Sequence, residues 1–348
     1  MAKDKDEMIM QKQYDLMGLG EIMLRLNSPV NERLARGGIF EKQAGGSELN
    51  VLAGASMLGL KTGMITKLPA NPLGSYIRNS TRFMGVSDDY YIYDRNPDAR
   101  LGVYYYEYGA APRKPTVVYD RANSSFQHIH VSELPEDLFQ KTRMFHVSGI
   151  TPALCKNTRD TAMECIRNFK KQGTAISFDV NYRAALWSEE DARKTILQIL
   201  PLVDVLFVSE ETSRRMLQKT GELHDIMRSY CQNYGIKVVA TTQRTVHSPK
   251  SHDFTSQIYC AGNNTFYEED AYRNIDVVDR IGSGDAYVAG ALYGLLRYGE
   301  PQKALEYGNA ASSLKNTVPG DLPCADLEDA DQIIRQHQSK APGSELNR

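Results

Sequence analysis

IDVVDRIGSGDAYVAGALYGLL, residues 275–296, joins an apolar run to a turn with two glycines and then to a segment rich in small residues. This order of residue types predicts a strand, a turn and a helix. Gly282 and Gly284 let the backbone approach an anion closely, and the free N–H groups at the start of the helix attract negative charge. The segment therefore predicts a phosphate-binding turn.

An acidic residue, Asp285, follows that turn directly. A carboxylate is repelled by a neighbouring phosphate, so its useful role there is to accept a proton from an attacking hydroxyl, as in a kinase. An acid in the first turn also stabilises any helix through its dipole, and short glycine motifs recur by chance. Both interpretations stay open on these residues alone. The candidate catalytic residues are Gly282, Ser283, Gly284 and Asp285.

Short β-like runs alternate with helical patterns through most of the chain, which predicts an α/β fold. Several runs are almost wholly apolar, as are the strands of a parallel sheet covered on both faces. We predict strands at 14–20, 62–68, 144–149, 174–180, 204–209 and 236–242. We predict helices, long enough to cross between parallel strands, at 47–58, 156–172, 189–200, 285–297 and 301–316.

Two stretches interrupt the alternation, 26–43 and 88–125. The second contains LGVYYYEY (101–108) and TVVYDR (116–121), which are rich in Tyr and Val. Such segments predict strands of a small separate sheet. Aromatic residues on an exposed sheet leave apolar area in water. We expect this sheet either to close over a ligand or a second subunit, or to pack as an ordinary hairpin on its own domain.

Composition narrows the class of protein. With 348 residues, of which 41% are apolar, the chain can bury a large core, and its net charge of -2 argues against nucleic acid or a membrane surface as partner. The five cysteines lack CxxC spacing and the seven histidines lack HxxxH spacing, so we expect no disulfide framework and no transition-metal site. Without a signal-peptide core or an apolar span, the sequence predicts a cytoplasmic protein with flexible tails at 1–13 and 338–348.

Two motifs carry a family resemblance. DRIGSGDAYVAG (279–290) resembles the C-terminal signature of the ribokinase/PfkB carbohydrate kinases, DTxGAGDxFxxG, and GGSELNVLAGASMLGL (45–60) is similar to their N-terminal glycine signature. The matching positions are Asp279, Gly282, Gly284, Asp285 and Gly290 in the first motif, and Gly45, Gly46 and Asn50 in the second. The resemblance covers about residues 14–335. It implies one three-layer α/β/α ribokinase-like domain with a mostly parallel central sheet and a small β-sheet lid formed from about 26–43 and 88–125.

Within that family, FHVSGITPAL (145–154) and SFDVNYRAALWSEEDAR (177–193) resemble the 2-keto-3-deoxygluconate kinase group. The resemblance implies phosphorylation of that acid sugar at its terminal hydroxyl by ATP and Mg²⁺, giving the 6-phosphate, in a homo-oligomer assembled through the lid. A kinase for a neutral sugar or a nucleoside, and a non-catalytic sugar-binding regulator, are the alternatives. The residues implied at the sugar, beside Asp285, are Gly46, Asn50, Tyr104, Tyr119, Arg121, Ile150 and Arg183.

Arg121 and Arg183 also make chemical sense without the resemblance, because a planar guanidinium can bind a carboxylate with two charge-assisted hydrogen bonds. A single arginine beside a strand end is nevertheless more often a partner in a surface ion pair.

The nucleotide side departs from the family pattern. The motif NxxE corresponds to Ser209-Glu210-Glu211-Thr212, so Glu210 or Glu211 would have to replace the missing acid near Mg²⁺. The usual glycine-containing turn is replaced by TTQRTVHSPKSHDF (241–254), where Arg244 or Lys250 is a candidate for a phosphate contact. Arg280 takes the place of a small residue. The candidate cofactor-binding residues are Ser209, Glu210, Arg244, Asn309 and Ser313, the last two at the adenine.

Overall fold

The structure is a computed structural model that describes residues 12–323 and 325–339. The strands are β1 Tyr14–Leu19, β2 Met23–Asn27, β3 Glu41–Gly45, β4 Thr62–Pro69, β5 Val86–Asp94, β6 Val103–Glu107, β7 Thr116–Asp120, β8 Thr142–Ser148, β9 Ala175–Asp179, β10 Val205–Phe207, β11 Val238–Ser248, β12 Ser251–Cys260, β13 Thr265–Glu268 and β14 Tyr272–Asp276.

These strands form a sheet of ten and a sheet of four. The main sheet has the order β13-β12-β11-β10-β9-β8-β1-β4-β5, with β14 paired to β12, and all pairs from β11 to β5 are parallel. The small sheet has the order β3-β2-β6-β7.

Helices connect successive parallel strands of the main sheet, and three further helices follow the last strand. They are α1 Ser47–Met57, α2 Pro72–Phe83, α3 Ile150–Ala153, α4 Lys156–Lys171, α5 Glu189–Ile199, α6 Glu210–Arg215, α7 Leu223–Tyr234, α8 Ser283–Tyr298, α9 Pro301–Asn316 and α10 Leu327–Ser339. Short 3-10 turns lie at Ser125–His128, Val131–Glu133, Glu136–Gln140 and Leu200–Leu202. The predicted strands and helices are confirmed to within a few residues at their ends, except that β11 continues to Ser248.

Two hydrophobic clusters cover the two faces of the main sheet. Neighbouring residues of β1 point to opposite sides: Leu16 belongs to one cluster and Met17 to the other. Helices α1, α8 and α9 pack on the first face, and α4, α5 and α7 pack on the second. Because burial on both faces demands apolar residues at consecutive positions, this arrangement explains the almost wholly apolar runs. The three-layer α/β/α prediction is confirmed.

The lid boundaries need correction. Residues 88–94, predicted to belong to the lid, lie in β5, which pairs with β4 at the edge of the main sheet. The helix α2 returns the chain to that edge as a parallel crossover, and Tyr91 is buried there, with its hydroxyl donating to Thr81 Oγ1 at 2.7 Å. The lid strands observed are β2, β3, β6 and β7, so the lid also starts before residue 26.

The predicted tails at 1–13 and 338–348 lie mostly outside the described residues. Within them, α10 continues to Ser339, so residues 338 and 339 are helical. In the described ranges, none of the helices has the length and apolar character needed to cross a membrane.

Candidate active site

The glycine turn lies between β14 and α8. Gly282 has a φ of 82°, and a Cβ there would lie 2.1 Å from the carbonyl oxygen of Asp321, so both conformation and space require glycine. Gly284, by contrast, has no atom within 4 Å of where its Cβ would be. Helix α8 begins at Ser283, so its first free N–H groups belong to this turn. The predicted strand, turn and helix are confirmed.

Asp285 is fixed by two side chains of α1. Ser47 Oγ donates to its Oδ1 at 2.8 Å, and Asn50 Nδ2 donates to its Oδ2 at 2.7 Å. Burial raises the pKa of Asp285 above the usual range for an aspartate, although Asn50, Ser47 and the positive charge of Arg183 favour the charged form. A raised pKa makes this carboxylate a better proton acceptor than an exposed one.

A buried ion cluster attaches the lid to the glycine turn. Arg25, in lid strand β2, is fully buried and donates to Asp279 at 2.5 Å and to Asp321 at 2.7 Å. Asp279 also accepts hydrogen bonds from the backbone N–H groups of Ile281 and Gly320. The guanidinium of Arg25 lies 4.4 Å from the ring centre of Tyr106. Asp279, one of the motif residues, therefore holds the turn in shape and is not free to bind a ligand.

A cavity of about 890 Å³ lies between the lid, the glycine turn and the carboxyl ends of β1 and β9. Ligands of open α/β sheets bind at this end of the strands. The cavity brings together every predicted catalytic and sugar-site residue, with one predicted nucleotide residue. These are Gly46, Asn50, Tyr104, Tyr119, Arg121, Ile150, Arg183, Gly282, Ser283, Gly284, Asp285 and Arg244. That each of them binds a ligand stays a prediction.

The two predicted carboxylate ligands differ in their surroundings. Arg121 is already paired: its Nε donates to Glu21 Oε2 at 2.8 Å, and its Nη2 donates to the same oxygen. Glu21 is only 4% exposed and also accepts from Ser124 Oγ. Arg183 lines the cavity, and within the described residues its guanidinium donates to the carbonyl of Tyr182 at 3.2 Å. Arg121 is thus hydrogen-bonded to a carboxylate, whereas the charge of Arg183 acts on Asp285 and Asp179 without such a bond.

Two further arginines line the cavity beside the glycine turn, Arg244 from β11 and Arg280. In the described part of the chain, neither guanidinium has a carboxylate or hydrogen-bond partner. Burial and the nearby charge of Arg280 lower the pKa of Arg244. Together with Arg183 they place three guanidinium groups in the cavity, and such groups can bind anionic ligands.

Four predicted nucleotide residues lie elsewhere. Ser209 caps α6 by accepting from the N–H of Thr212 at 3.1 Å, and Glu210 pairs with Arg214 at 2.6 Å in the next helical turn. The Ser209 hydroxyl and the Glu210 carboxylate therefore both bond within α6, and neither Ser209 nor Glu210 lines the cavity.

On α9 the polar side chains turn inward. Asn309 is fully buried, donating to Glu269 Oε1 at 2.6 Å and accepting from Ser256 Oγ at 2.7 Å. Ser313 is also buried and does not line the cavity. Neither residue lines the cavity, and the Asn309 amide joins α9 to Glu269 and to β12. That either of them contacts the nucleotide stays a prediction.

Several cavity residues were not predicted. Ser47, Asn181, Glu21 and Asp321 all line it. Asp321 accepts a short hydrogen bond from the Tyr104 hydroxyl of the lid. Ser47 stands inside the N-terminal glycine signature and Asn181 inside 177–193, so their positions in these motifs were the available signals. Nothing in the sequence distinguishes Asp321 from other loop acids.

A dedicated metal cage is not found: within 12–323 and 325–339, no three His, Cys, Asp or Glu side chains are grouped so as to hold an ion. Magnesium needs few protein ligands when phosphate oxygens and waters supply the rest. The residues described are compatible with a magnesium ion that arrives bound to phosphates.

Comparison with known proteins agrees with this geometry. A model of the pfkB family carbohydrate kinases matches residues 14–327. The chain is 36% identical over 322 residues to a 2-dehydro-3-deoxygalactonokinase of Haloferax volcanii, covering 92% of this chain and 96% of the relative. It is 28% identical over 312 residues to a 2-dehydro-3-deoxygluconokinase of Bacillus subtilis, covering 88% and 91%. A crystal structure of a 2-dehydro-3-deoxygluconokinase from Thermotoga maritima matches with a TM-score of 0.87 at 33% identity, covering 92% of this chain and 99% of that one.

Proposed function

The chain belongs to the pfkB family of carbohydrate kinases, and we propose that its substrate is a six-carbon 2-keto-3-deoxy sugar acid. We propose 2-keto-3-deoxygluconate, or its galactonate epimer, as acceptor, ATP with Mg²⁺ as donor, and the 6-phosphate and ADP as products. The similarity to kinases named for both epimers supports the substrate class and does not distinguish between them.

The observation that carries the proposal is Arg183, which lines the same cavity as Asp285 and has no ion-pair partner among the described residues. A neutral sugar cannot compensate a guanidinium charge, whereas a carboxylate forms two charge-assisted hydrogen bonds with it. Arg121 keeps N–H donors beyond those used by Glu21, so it can add a contact at the same end of the substrate.

The reaction then needs few groups. Asp285 accepts the proton of the terminal hydroxyl while that oxygen forms a bond to the γ-phosphorus and the bond from the γ-phosphorus to the β,γ-bridging oxygen breaks, with the electron pair leaving on ADP. The N–H groups from Gly282 to Asp285 stabilise the negative charge on the transferred group. Ser47 and Asn50 hold Asp285 against α1, which keeps its oxygens from rotating.

Arg244 and Arg280 are placed to contact the nucleotide phosphates, since both lie beside the glycine turn without a partner among the described residues. Magnesium bound to the phosphates would neutralise part of their charge. Arg214 is paired with Glu210. Arg244 and Arg280 are therefore the cations that we assign to the nucleotide phosphates.

We also propose a cytoplasmic homo-oligomer assembled through the lid. The lid exposes Phe40 and Val118, which are 44% and 49% accessible. Both lie at Tyr105: Phe40 packs edge-on against its ring, and Val118 is its partner across β6 and β7. An apolar sheet face of this kind is stabilised by contact with a second subunit.

The test is a substrate panel. Purified protein with MgATP is offered 2-keto-3-deoxygluconate, its galactonate epimer, gluconate, fructose, ribose and adenosine, and ADP release is measured. We expect the keto-deoxy acids to give the highest kcat/KM. Preferred turnover of fructose, ribose or adenosine contradicts the acid-sugar assignment.

Asp285→Asn is the matching variant, because it removes the base but keeps the size and polarity of the side chain. We expect kcat to fall at least about a hundredfold with sugar affinity nearly unchanged. Near-normal turnover contradicts the role given to Asp285.

A further inference from the structure

Ser47 joins two polar groups that come from distant parts of the chain. Its Oγ lies 2.8 Å from Asp285 Oδ1 at the start of α8, and 3.0 Å from Asn181 Nδ2 in the loop after β9. The three side chains line the same cavity. A hydroxyl so placed has its single proton and one lone pair both engaged.

Elementary chemistry fixes the direction of these bonds. An ionised carboxylate only accepts, so the proton of Ser47 is donated to Asp285. The oxygen of Ser47 must then accept from Asn181, which requires Asn181 to present its amide nitrogen. Asn181 thereby prevents the hydroxyl of Ser47 from turning its proton away from Asp285.

The backbone conformation of Asn181 orients its side chain towards Ser47. Its φ is 36°, a left-handed conformation that asparagine tolerates better than most residues. Its N–H donates to Asp179 Oδ1 at 3.1 Å, which ties the loop to the end of β9. The loop therefore delivers the amide to Ser47 in one orientation.

We propose that Asn181 is a positioning residue for the proton acceptor: acting through Ser47, it keeps one oxygen of Asp285 hydrogen-bonded and leaves the remaining lone pairs for the substrate hydroxyl. This inference rests on the proposed function for its catalytic meaning, but the hydrogen-bond chain itself is testable without turnover.

The charges around Asp285 set the direction of the expected change. Arg183 contributes positive charge, and Asp321 and Asp179 contribute negative charge. Ser47 and Asn50 stabilise its ionised form. Loss of the oriented Ser47 proton therefore raises the pKa of Asp285, whereas a defect that only loosened the packing would reduce its burial and lower the pKa.

The experiment is a double-mutant cycle on full-length protein carrying ¹³C-labelled aspartate. Carboxyl resonances are titrated by NMR in the parent, Ser47→Ala, Asn181→Gly and the double variant, with Asp285→Asn to assign the signal. Glycine tolerates the positive φ at position 181. Asn264→Gly is the control, since Asn264 has a φ of 53° in an exposed turn outside the cavity.

We expect Ser47→Ala to raise the pKa of Asp285, and Asn181→Gly to raise it by less. The double variant should match Ser47→Ala alone, because Asn181 acts through that hydroxyl. In turnover of the acid sugar, kcat/KM should fall about 10- to 100-fold for Ser47→Ala and about 3- to 10-fold for Asn181→Gly, again without further loss in the double variant.

Additive effects in the cycle, or an unchanged pKa in Asn181→Gly, overturn the inference. Should Asn181→Gly fail to fold, Asn181→Ala removes the amide donor without adding a charge. An unchanged pKa of Asp285 in that variant also overturns the inference. If the parent phosphorylates none of the sugars, the proposed function fails, and the NMR cycle still decides on the role of Asn181.

Discussion

Replacing Arg121 with alanine does more than remove a proposed contact to the substrate, because it also takes away the partner of Glu21. The side chain of Glu21 is only 2% exposed, and Arg121 is its charged partner. Without that guanidinium, a buried negative charge remains in the cavity with only the hydroxyl of Ser124 to stabilise it. Arg183→Ala leaves no ion-pair partner behind, because Arg183 has none among the described residues, although the variant also loses a positive charge that favours ionised Asp285.

The size of the difference follows from these surroundings. Loss of a charge-assisted hydrogen bond costs about 1.5 to 3 kcal/mol, so Arg183→Ala should raise the KM for the acid sugar roughly 10- to 150-fold. In Arg121→Ala, Glu21 also repels the substrate carboxylate. At a separation of about 6 Å and an effective dielectric constant of about 20, that repulsion adds about 3 kcal/mol, or roughly another hundredfold. Glu21→Gln in the Arg121→Ala background should recover most of this second factor.

The assay is steady-state kinetics on the keto-deoxy acid at saturating MgATP, with ATP affinity measured separately without sugar. ATP affinity should be nearly unchanged in all three variants. Arg100→Ala is the matched control, since this lid arginine pairs with Asp120 and does not line the cavity. A milder effect of Arg121→Ala than of Arg183→Ala, or no recovery with Glu21→Gln, refutes the reasoning.

Three other predictions follow from buried charge and from the lid. Arg25→Met leaves two buried carboxylates without their cation and should lower the free energy of unfolding by about 3 to 5 kcal/mol in urea titrations; a loss below about 1 kcal/mol contradicts the ion cluster's role. Burial and the negative charge of Asp285 raise the pKa of Asp179 from 3.8 to about 7, so the free energy of unfolding falls as the pH rises from about 4 to 7 and Asp179 ionises. Asp179→Asn should therefore raise the free energy of unfolding by about 2 to 4 kcal/mol at pH 8 and by little at pH 4, whereas the exposed control Asp98→Asn should change it little at either pH. Equal gains for Asp179→Asn at both pH values count against this prediction. Amide exchange in Thr116–Asp120 should slow when the acid sugar binds to an oligomer, and a monomer with unchanged exchange disagrees with both halves of the lid proposal.

The layers of the fold were predictable from local patterns. Apolar runs such as 144–149 and 204–209 mark strands buried on both faces, and the lengths of the segments between them mark crossover helices. The glycine turn was predictable because Gly282 needs a left-handed backbone that few other residues adopt. Periodicity could not assign β5 to the main sheet, since Tyr-rich alternation suits either sheet.

Pairings between distant residues were not predictable from one sequence. Arg121 and Glu21 are separated by 100 positions, and Arg25 and Asp321 by 296. A single sequence shows that each is charged and does not show that one neutralises the other. For the same reason, Asn309 was expected at a ligand, whereas in the structure its amide bonds Glu269 and Ser256.

A competition experiment tests the proposed acid-sugar kinase activity most directly. Equal concentrations of 2-keto-3-deoxygluconate and fructose are incubated with the protein and limiting MgATP, and the products are identified by phosphorus–proton correlation NMR. We expect the phosphate on the terminal methylene of the acid sugar, with little fructose phosphate, and we expect Arg183→Ala to reduce this preference. Phosphate found mainly on fructose, or on another carbon of the acid, would contradict the proposal.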